Sequence, residues 1–370
     1  MYSPARHIGQ VFRKSRPIHL TFFLTRRCNA RCPFCFYLKS GNDPSGGRPE
    51  LSLDEIEKVS RSLGTLLWLA FSGGEIYLRS DLVAIAETFY RNNRPAIMLF
   101  PTNGLLPEVI RDKTEEIVRS CRESVIAVKL SLDGLGDDHD RLRATPGSFA
   151  KTMETCALLG RLVDRYPHFE LGINTVFCAE NQDAMEAIIG FVKGLAAVKT
   201  HTISMVRGDL ADRRYKDIDI EKYDRAIARL EENLRDRTAP VYRFRGARIK
   251  AAQDILQRRL IHRTWREQKR IVPCYAGRLN LVLTECGDVF PCEMLTEPFG
   301  NVRDCQYDMG TVIRSASAKK SIESIRAGRC CCTHECYFMT NILFNPALYP
   351  VLLKEYAQLR LSPAIGSELP

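Results

Sequence analysis

The stretch Cys28-Asn-Ala-Arg-Cys32-Pro-Phe-Cys35 places three thiols within eight residues, directly after the apolar run Ile18 to Leu24. A short apolar run bounded by polar residues reads as a strand, so the three thiols leave a strand end on one loop. They can converge on one metal centre and leave a coordination position without a protein ligand. The loop holds no fourth candidate, and the nearest histidine, His19, falls inside the strand. Structural zinc takes four protein ligands in a closed tetrahedron. Three thiolates suit an iron–sulfur cubane with one open iron better.

The other cysteines must be read by compartment. The chain has 14 cysteines in 370 residues. Met1 to Pro17 carries charges but no apolar core of a signal peptide, and no apolar run approaches the roughly 18 residues of a membrane span. A cytoplasmic chain is expected, and there clustered cysteines indicate metal or iron–sulfur ligation rather than disulfides. The length allows one large α/β domain and a smaller one.

The formal net charge of +10 is uneven: ten basic residues between Val241 and Arg270 face only Asp254 and Glu267. Such a segment is either a solvated helix face or an attractor for a phosphorylated substrate, an acidic peptide or nucleic acid. Tyr242 and Phe244 are the main aromatics available for stacking on bases, which makes nucleic acid the weaker partner.

Along the chain, Ser40 to Pro49 is a Gly- and Pro-rich linker, and Ser52 with Glu55 forms a capping box opening a helix to about Leu63. Strands are expected at Leu66–Phe71, Ala96–Phe100, Val125–Leu130, Glu170–Phe177 and Lys199–Val206, with helices between them. Six strands alternating with helices predict a parallel sheet with right-handed crossovers, either open or closed into a partial barrel. Polar motifs fall just after strands, where such folds place ligands. The alternation stops near residue 212, and two long charged helices follow. From Cys274 a small hairpin around Glu285-Cys286-Gly287 leads to a helix and to the cluster Cys330-Cys331-Cys332-Thr333-His334-Glu335-Cys336. The expected division is an extension over 1–17, a core over 18–211, a basic helical linker over 212–270, a cysteine-rich unit over 271–340 and a C-terminal helix and tail over 341–370.

The second strand ends in Gly73-Gly74-Glu75. Two glycines permit close backbone approach and the carboxylate can hold an ammonium group. Taken with Cys28, Cys32, Cys35 and the aromatic Phe34, this motif resembles the radical S-adenosylmethionine (radical SAM) superfamily. The resemblance covers residues 18 to 206 and implies a partial (β/α)6 TIM-like barrel. It also implies a 4Fe–4S cluster on the three cysteines, whose open iron chelates SAM. One-electron cleavage then gives a 5′-deoxyadenosyl radical that abstracts hydrogen from substrate. It places Gly73, Gly74 and Glu75 at the methionine ammonium, Ser131 and Asp133 at the ribose, Arg143 at the carboxylate, and Asn103 with Asn174-Thr175-Val176 along the cofactor pocket.

The run from Ser131 to Phe149 is similar to peptide maturases with a SPASM or twitch extension. Cys274, Gly287 beyond twelve intervening residues, Cys292 and Asn301 match the opening of that extension, which carries an auxiliary 4Fe–4S cluster. The tail is too compressed for two further clusters. One is therefore expected, on Cys274, Cys292 and two of Cys330, Cys332 and Cys336, the last two preferred. His334 is read as structural. Cys121 and Cys156 read as small buried hydrophobes, and Cys178, following a strand at the functional end, is a weak candidate for a hydrogen donor.

The reading that follows is a radical SAM enzyme acting on a peptide or protein. The alternative is a small-molecule dehydrogenase or epimerase acting on a sugar, aminoglycoside-like or nucleotide substrate. RNA modification and a zinc-binding regulator rank below these. A flavodoxin- or ferredoxin-type electron donor is expected. With about 17 residues before the first strand, a leader-binding partner would act in trans.

Overall fold

The computed structural model describes residues 1–38, 47–236, 238, 242–244, 246–328 and 330–361. The expected linker at Ser40 to Pro49 lies mostly outside these residues, as do Arg245 of the basic run and the tail beyond Leu361.

Strand β1 (His19–Thr25) is followed by α1 (Leu53–Ser62), β2 (Trp68–Gly73), α2 (Leu82–Asn93), β3 (Ile97–Thr102), α3 (Pro107–Ser120) and β4 (Val125–Ser131). Then come α4 (Asp137–Leu142), α5 (Ser148–Arg165), β5 (Phe169–Phe177), α6 (Met185–Lys193), β6 (Thr200–Met205) and α7 (Ile220–Arg235). All neighbours from β1 to β6 pair in parallel. The boundaries follow local chemistry. The Ser52–Glu55 capping box forms in both directions and starts α1, and Pro107 opens α3. Helix α4, a short turn after β4, has no counterpart in the sequence expectation because six residues carry too little periodicity to be seen.

The two faces of the sheet differ. Outward residues such as Phe71, Phe100, Ile126, Val128, Leu130, Leu171 and Ile173 are fully buried beneath the helices. On β4 the inward residues Ala127, Lys129 and Ser131 are only half buried, because they face a hollow rather than a packed interior. A closed eight-stranded barrel fills that space with side chains; six strands do not close, and a cavity of about 240 Å³ remains.

The hairpin of the cysteine-rich region is not detached from the barrel. Strand β7 (Asn280–Leu283) pairs in parallel with β1, and β8 (Asp288–Phe290) and β9 (Gly300–Asn301) follow antiparallel. The nine strands form one sheet in the order β6-β5-β4-β3-β2-β1-β7-β8-β9. This extension was hidden in the sequence because β7 is four residues long and its partner lies about 260 residues upstream.

Gly287 makes the hairpin turn at φ +92°, and Asn301 donates to the Cys286 carbonyl and to Asp288, both at 2.9 Å. A Cβ at Gly287 would sit 2.9 Å from Val302 and 3.0 Å from Asn301. The unit is clamped to α1: Arg303 binds both Glu55 oxygens at 2.7 and 3.0 Å, and the Tyr307 hydroxyl donates to the same carboxylate.

The remaining helices are α8 (Ala247–Glu267), α9 (Met309–Ile313), α10 (Ala316–Arg326), α11 (Glu335–Leu343) and α12 (Tyr349–Leu361). The basic segment on α8 is largely neutralised within the molecule. Arg259 pairs with Glu231 and Glu355, Lys250 with Asp254, and Arg263 and Lys269 with Glu267. Arg259 ties α8 to Glu231 of α7 and Glu355 of α12, while the Lys250–Asp254 and Arg263–Glu267 pairs lie within α8. Among the described residues no single helix is long and apolar enough to cross a membrane.

Candidate active site: two cysteine sets facing one hollow barrel

The cysteine loop leaves the C-terminal end of β1, and β2 exits beside it. Here the two glycines acquire a reason the sequence did not supply. A Cβ on Gly74 would lie 2.7 Å from the Arg27 carbonyl carbon and closer still to its oxygen. One on Gly73, at φ +117°, would meet the Thr25 oxygen at 2.5 Å. The pair lets β2 run against the root of the cysteine loop, where Gly74 and Glu75 donate to the Thr25 and Arg27 carbonyls at 2.7 and 2.9 Å. The close approach is thus to protein backbone.

Glu75 is 1% exposed. Its carboxylate accepts from the Tyr77 N–H at 3.2 Å, the Thr102 hydroxyl at 2.9 Å and the Asn103 N–H at 2.8 Å. Burial raises its pKa despite these donors. Asn103 also reaches the loop: its amide donates to Asn29 at 2.8 Å and to the Cys28 sulfur at 3.8 Å.

Arg143 lies on the opposite side, held at 2.7 Å by Asp133, which is wholly buried. The other Asp133 oxygen accepts the Val176 N–H at 2.7 Å. Both oxygens of Asp133 therefore have protein donors, and the residue is placed to aim Arg143. Ser131 is set on the cavity wall with Ser72, Asn174 and Ser204. Burial pushes Cys32 to about 11, with the Arg143 charge opposing it, so Arg143 faces the thiols. Cys178 is fully buried, packs with Phe34, Leu142 and Leu210, and points its sulfur at Asn181 at 3.5 Å. It is a core thiol away from the cavity wall.

The second cysteine set surrounds Tyr337. Cys274, Cys292 and Cys336 pack around that ring with Ala276 and Ile325. Burial pushes Cys292 to about 12 and Cys332 to about 11, and each is pushed further by Cys274. Cys330 adjoins Cys274 and Cys332, and its sulfur accepts a hydrogen bond from Arg270 at 2.7 Å. Cys274, Cys330 and Cys332 thus border one small hollow, while Cys292 and Cys336 share the packing around Tyr337 with Cys274. His334 does not join them: Nε2 donates to Glu293 at 2.6 Å, and Nδ1 accepts the Cys336 N–H at 3.2 Å, capping α11.

A single zinc ion at about 2.3 Å from each thiolate would bring sulfurs within roughly 4 Å of one another. In neither set do three sulfurs come within 4.8 Å; the only His/Cys/Asp/Glu trio that close among the described residues is Glu221, Asp224 and His262. A cubane gives each thiolate its own iron and does not need such crowding. The thiolate-only composition of each donor set suits the one-iron-per-thiolate ligation of a cubane.

Three residues absent from the sequence expectation connect the sets. Arg207, just past β6, places its guanidinium 5.0 Å from the centre of the Phe36 ring, next to Cys35, and pairs with Glu293 at 3.3 Å and Glu335 at 3.5 Å. Those glutamates adjoin Cys292 and Cys336, and the three line the cavity. The signal available in the sequence was an acidic residue beside each of two cysteines.

The sequence profile of the Radical SAM superfamily matches residues 22–192, from β1 through α6. The chain belongs to the radical SAM superfamily. It is an enzyme of that family, whose members use a 4Fe–4S cluster with SAM, and its cysteine-rich C-terminal region fits a SPASM/twitch-type auxiliary cluster.

The chain is similar to the "AdoMet-dependent heme synthase" of Methanosarcina barkeri, 29% identical over 78% of this chain and 80% of that protein. It is also similar to the "Antilisterial bacteriocin subtilosin biosynthesis protein AlbA" of Bacillus subtilis, 26% identical over 79% of this chain and 59% of that one. The chain therefore spans about three fifths of AlbA. In fold it matches SuiB of Streptococcus suis bound to S-adenosylmethionine, with TM-score 0.60, 15% identity and coverage of 86% and 71%. It also matches anSMEcpe with bound AdoMet and a peptide, with TM-score 0.58, 16% identity and coverage of 93% and 98%.

Proposed function

We propose that this radical SAM enzyme modifies a peptide or protein substrate held in the barrel cavity between its two cysteine sets. The observation that carries the reading is that the hollow lined by Ser131 and Asn174 of the barrel is also lined by Glu293, Glu335 and Cys336 of the second set, and by Arg207, whose guanidinium lies 5.0 Å from the centre of the Phe36 ring next to Cys35. Similarity to AlbA, a bacteriocin biosynthesis protein, supports the peptide class.

In this reading Cys28, Cys32 and Cys35 hold the SAM-binding cluster. The fixed carboxylate of Glu75 takes the methionine ammonium, Arg143 takes its carboxylate, and Ser131 and Asn103 border the nucleoside. Asp133 acts by aiming Arg143. Cys274 and Cys292 with two of Cys330, Cys332 and Cys336 hold the auxiliary cluster. When bound, cluster and SAM supply a carbon radical that takes a hydrogen atom from substrate. The protein's part is to orient the reacting groups and exclude water, and the six-stranded wall does both. A flavodoxin- or ferredoxin-type protein supplies the electron in the cytoplasm.

A second reading has its own support. The heme synthase matches a larger share of its own length than AlbA does, which favours a small molecule of the tetrapyrrole class. Deuterium transfer decides between them. The reduced, cluster-loaded enzyme with SAM is offered perdeuterated peptides and, separately, a deuterated tetrapyrrole. Label in 5′-deoxyadenosine from peptides alone is the expected outcome; label from the tetrapyrrole alone replaces the peptide reading with the second.

A further inference from the structure

Lys129 is the charged residue of the otherwise apolar strand β4, and it points into the hollow. It is two residues below Ser131 on the same strand face, about 7 Å deeper into the barrel. It does not lie along its own strand. It crosses the inner face of β5 and hydrogen-bonds the β6 hydroxyls of Thr200 and, at 3.2 Å, Thr202.

The crossing is possible because the intervening inward position is Gly172. A Cβ there would stand 2.6 Å from Lys129 Nζ, 2.8 Å from its Cδ and against the Thr200 hydroxyl. The register brings Lys129, Gly172 and Thr200 side by side on the three strands. A lysine, a missing side chain and two hydroxyls on adjacent strands make a built seat for an ammonium group.

That ammonium has no counter-ion. An ammonium has three donors; two go to hydroxyls, and among the described residues no carboxylate stands in ion-pair contact with it. The charged groups that face it are otherwise engaged. From β5, Glu170 accepts the Arg243 N–H at 2.7 Å; burial raises its pKa, opposed by Arg243 first and then by the Lys129 charge. From α8, Asp254 pairs with Lys250 and accepts the Tyr242 hydroxyl at 3.1 Å, while Arg258 reaches the His201 carbonyl of β6 at 3.4 Å. Burial holds the His201 imidazole at about 3, hence neutral.

We propose that Lys129 is the anchor for a carboxylate of the substrate, which enters the hollow below Ser131 and supplies the missing counter-ion. A carboxylate satisfies the third donor and offsets the cost of an unpaired cation in a half-enclosed hollow. The pKa agrees in direction: burial lowers the ammonium to about 7, with Asp254 the first opposing charge. An incoming carboxylate favours the charged form, so binding takes up a proton and weakens as pH rises through that value. Rotating Thr200 and Thr202 hydroxyls can serve either protonation state. The proposal rests on the radical SAM reading only for what the cavity holds.

The test uses glutarate as probe on the cluster-loaded protein with SAM, followed by calorimetry at pH 6 and pH 8.5. Wild type is expected to bind glutarate and not its diamide, at least about tenfold more tightly at pH 6. Lys129→Met is expected to lose about tenfold or more, and Lys129→Arg to keep most of the binding. Gly172→Ala, which retains the lysine but fills its path with a methyl that only flexible side chains must avoid, is expected to weaken binding as well. Competition by paired peptides bearing Glu or Gln then separates the sources. Displacement of glutarate by the Glu peptide assigns the site to a peptide side chain, and displacement only by small dicarboxylates assigns it to a small molecule. Equal binding to wild type and Lys129→Met, or none to wild type at either pH, overturns the proposal. Absence of 5′-deoxyadenosine from wild type with SAM and reductant would instead remove the radical SAM reading and leave the glutarate result standing.

Discussion

At the scale of single residues, the cysteine loop depends on what is absent next to it. Gly74 faces the Arg27 backbone, which has no flexible end to move away. Gly74→Ala should cost about 3 kcal/mol through overpacking against main chain and should displace the loop carrying Cys28. Gly190 is the natural control: it is inside α6, and an added methyl there would meet nothing within 4 Å. Gly190→Ala should gain about 0.5–1 kcal/mol from helix propensity. Thermal melts and iron content of the two variants check this; equal melting temperatures would contradict it. Cys28, Cys32, Cys35 and Glu75 stand out in the sequence by residue type and spacing alone. That Asp133 holds Arg143 with one oxygen and the Val176 N–H with the other could not be read from the sequence. Lys129 and Gly172 were invisible for a similar reason. Each is ordinary on its own strand, and only the parallel register makes them neighbours.

Among elements, the attachment of the cysteine-rich unit to the barrel is the least obvious joint. Periodicity showed β1 to β6 within a few residues, since each strand is a compact apolar run. It could not show that β7 continues the sheet beyond β1, which is a pairing between distant segments. The joint is reinforced by Arg303 on Glu55, and that bond has a pH signature. Hydrogen bonds from Arg303 first, then from the Ser52 N–H and the Tyr307 hydroxyl, lower Glu55 from 4.5 to about 2. A depressed carboxylate contributes stability that is complete above its unfolded pKa and is lost as pH falls toward the folded value. This contribution is therefore present above about 4.5 and fades toward 2. Arg303→Ala should lower stability at pH 7 and flatten that acid limb, as followed by urea melts between pH 2 and pH 7. An unchanged acid limb in the variant would show that the clamp is not linked to Glu55.

For the whole molecule, one sheet joins the barrel and the cysteine-rich unit. Six parallel strands too few to close leave a hollow, and the cysteine-rich unit joined at β1 brings Glu293, Glu335 and Cys336 to its wall. Arg207 spans the gap, between Phe36 on one side and Glu293 and Glu335 on the other. Sequence likeness reached this architecture by its motifs, while the contents of the hollow needed the fold. The most direct measurement is 5′-deoxyadenosine formed from SAM by anaerobically reconstituted protein under a strong reductant, for wild type and Cys32→Ala, each with its iron counted. Expected are about eight iron per chain and 5′-deoxyadenosine in wild type, and about four iron with no 5′-deoxyadenosine in the variant. Fully loaded wild type that yields none, or a variant that yields as much, would contradict a SAM-cleaving centre on the loop of Cys28, Cys32 and Cys35.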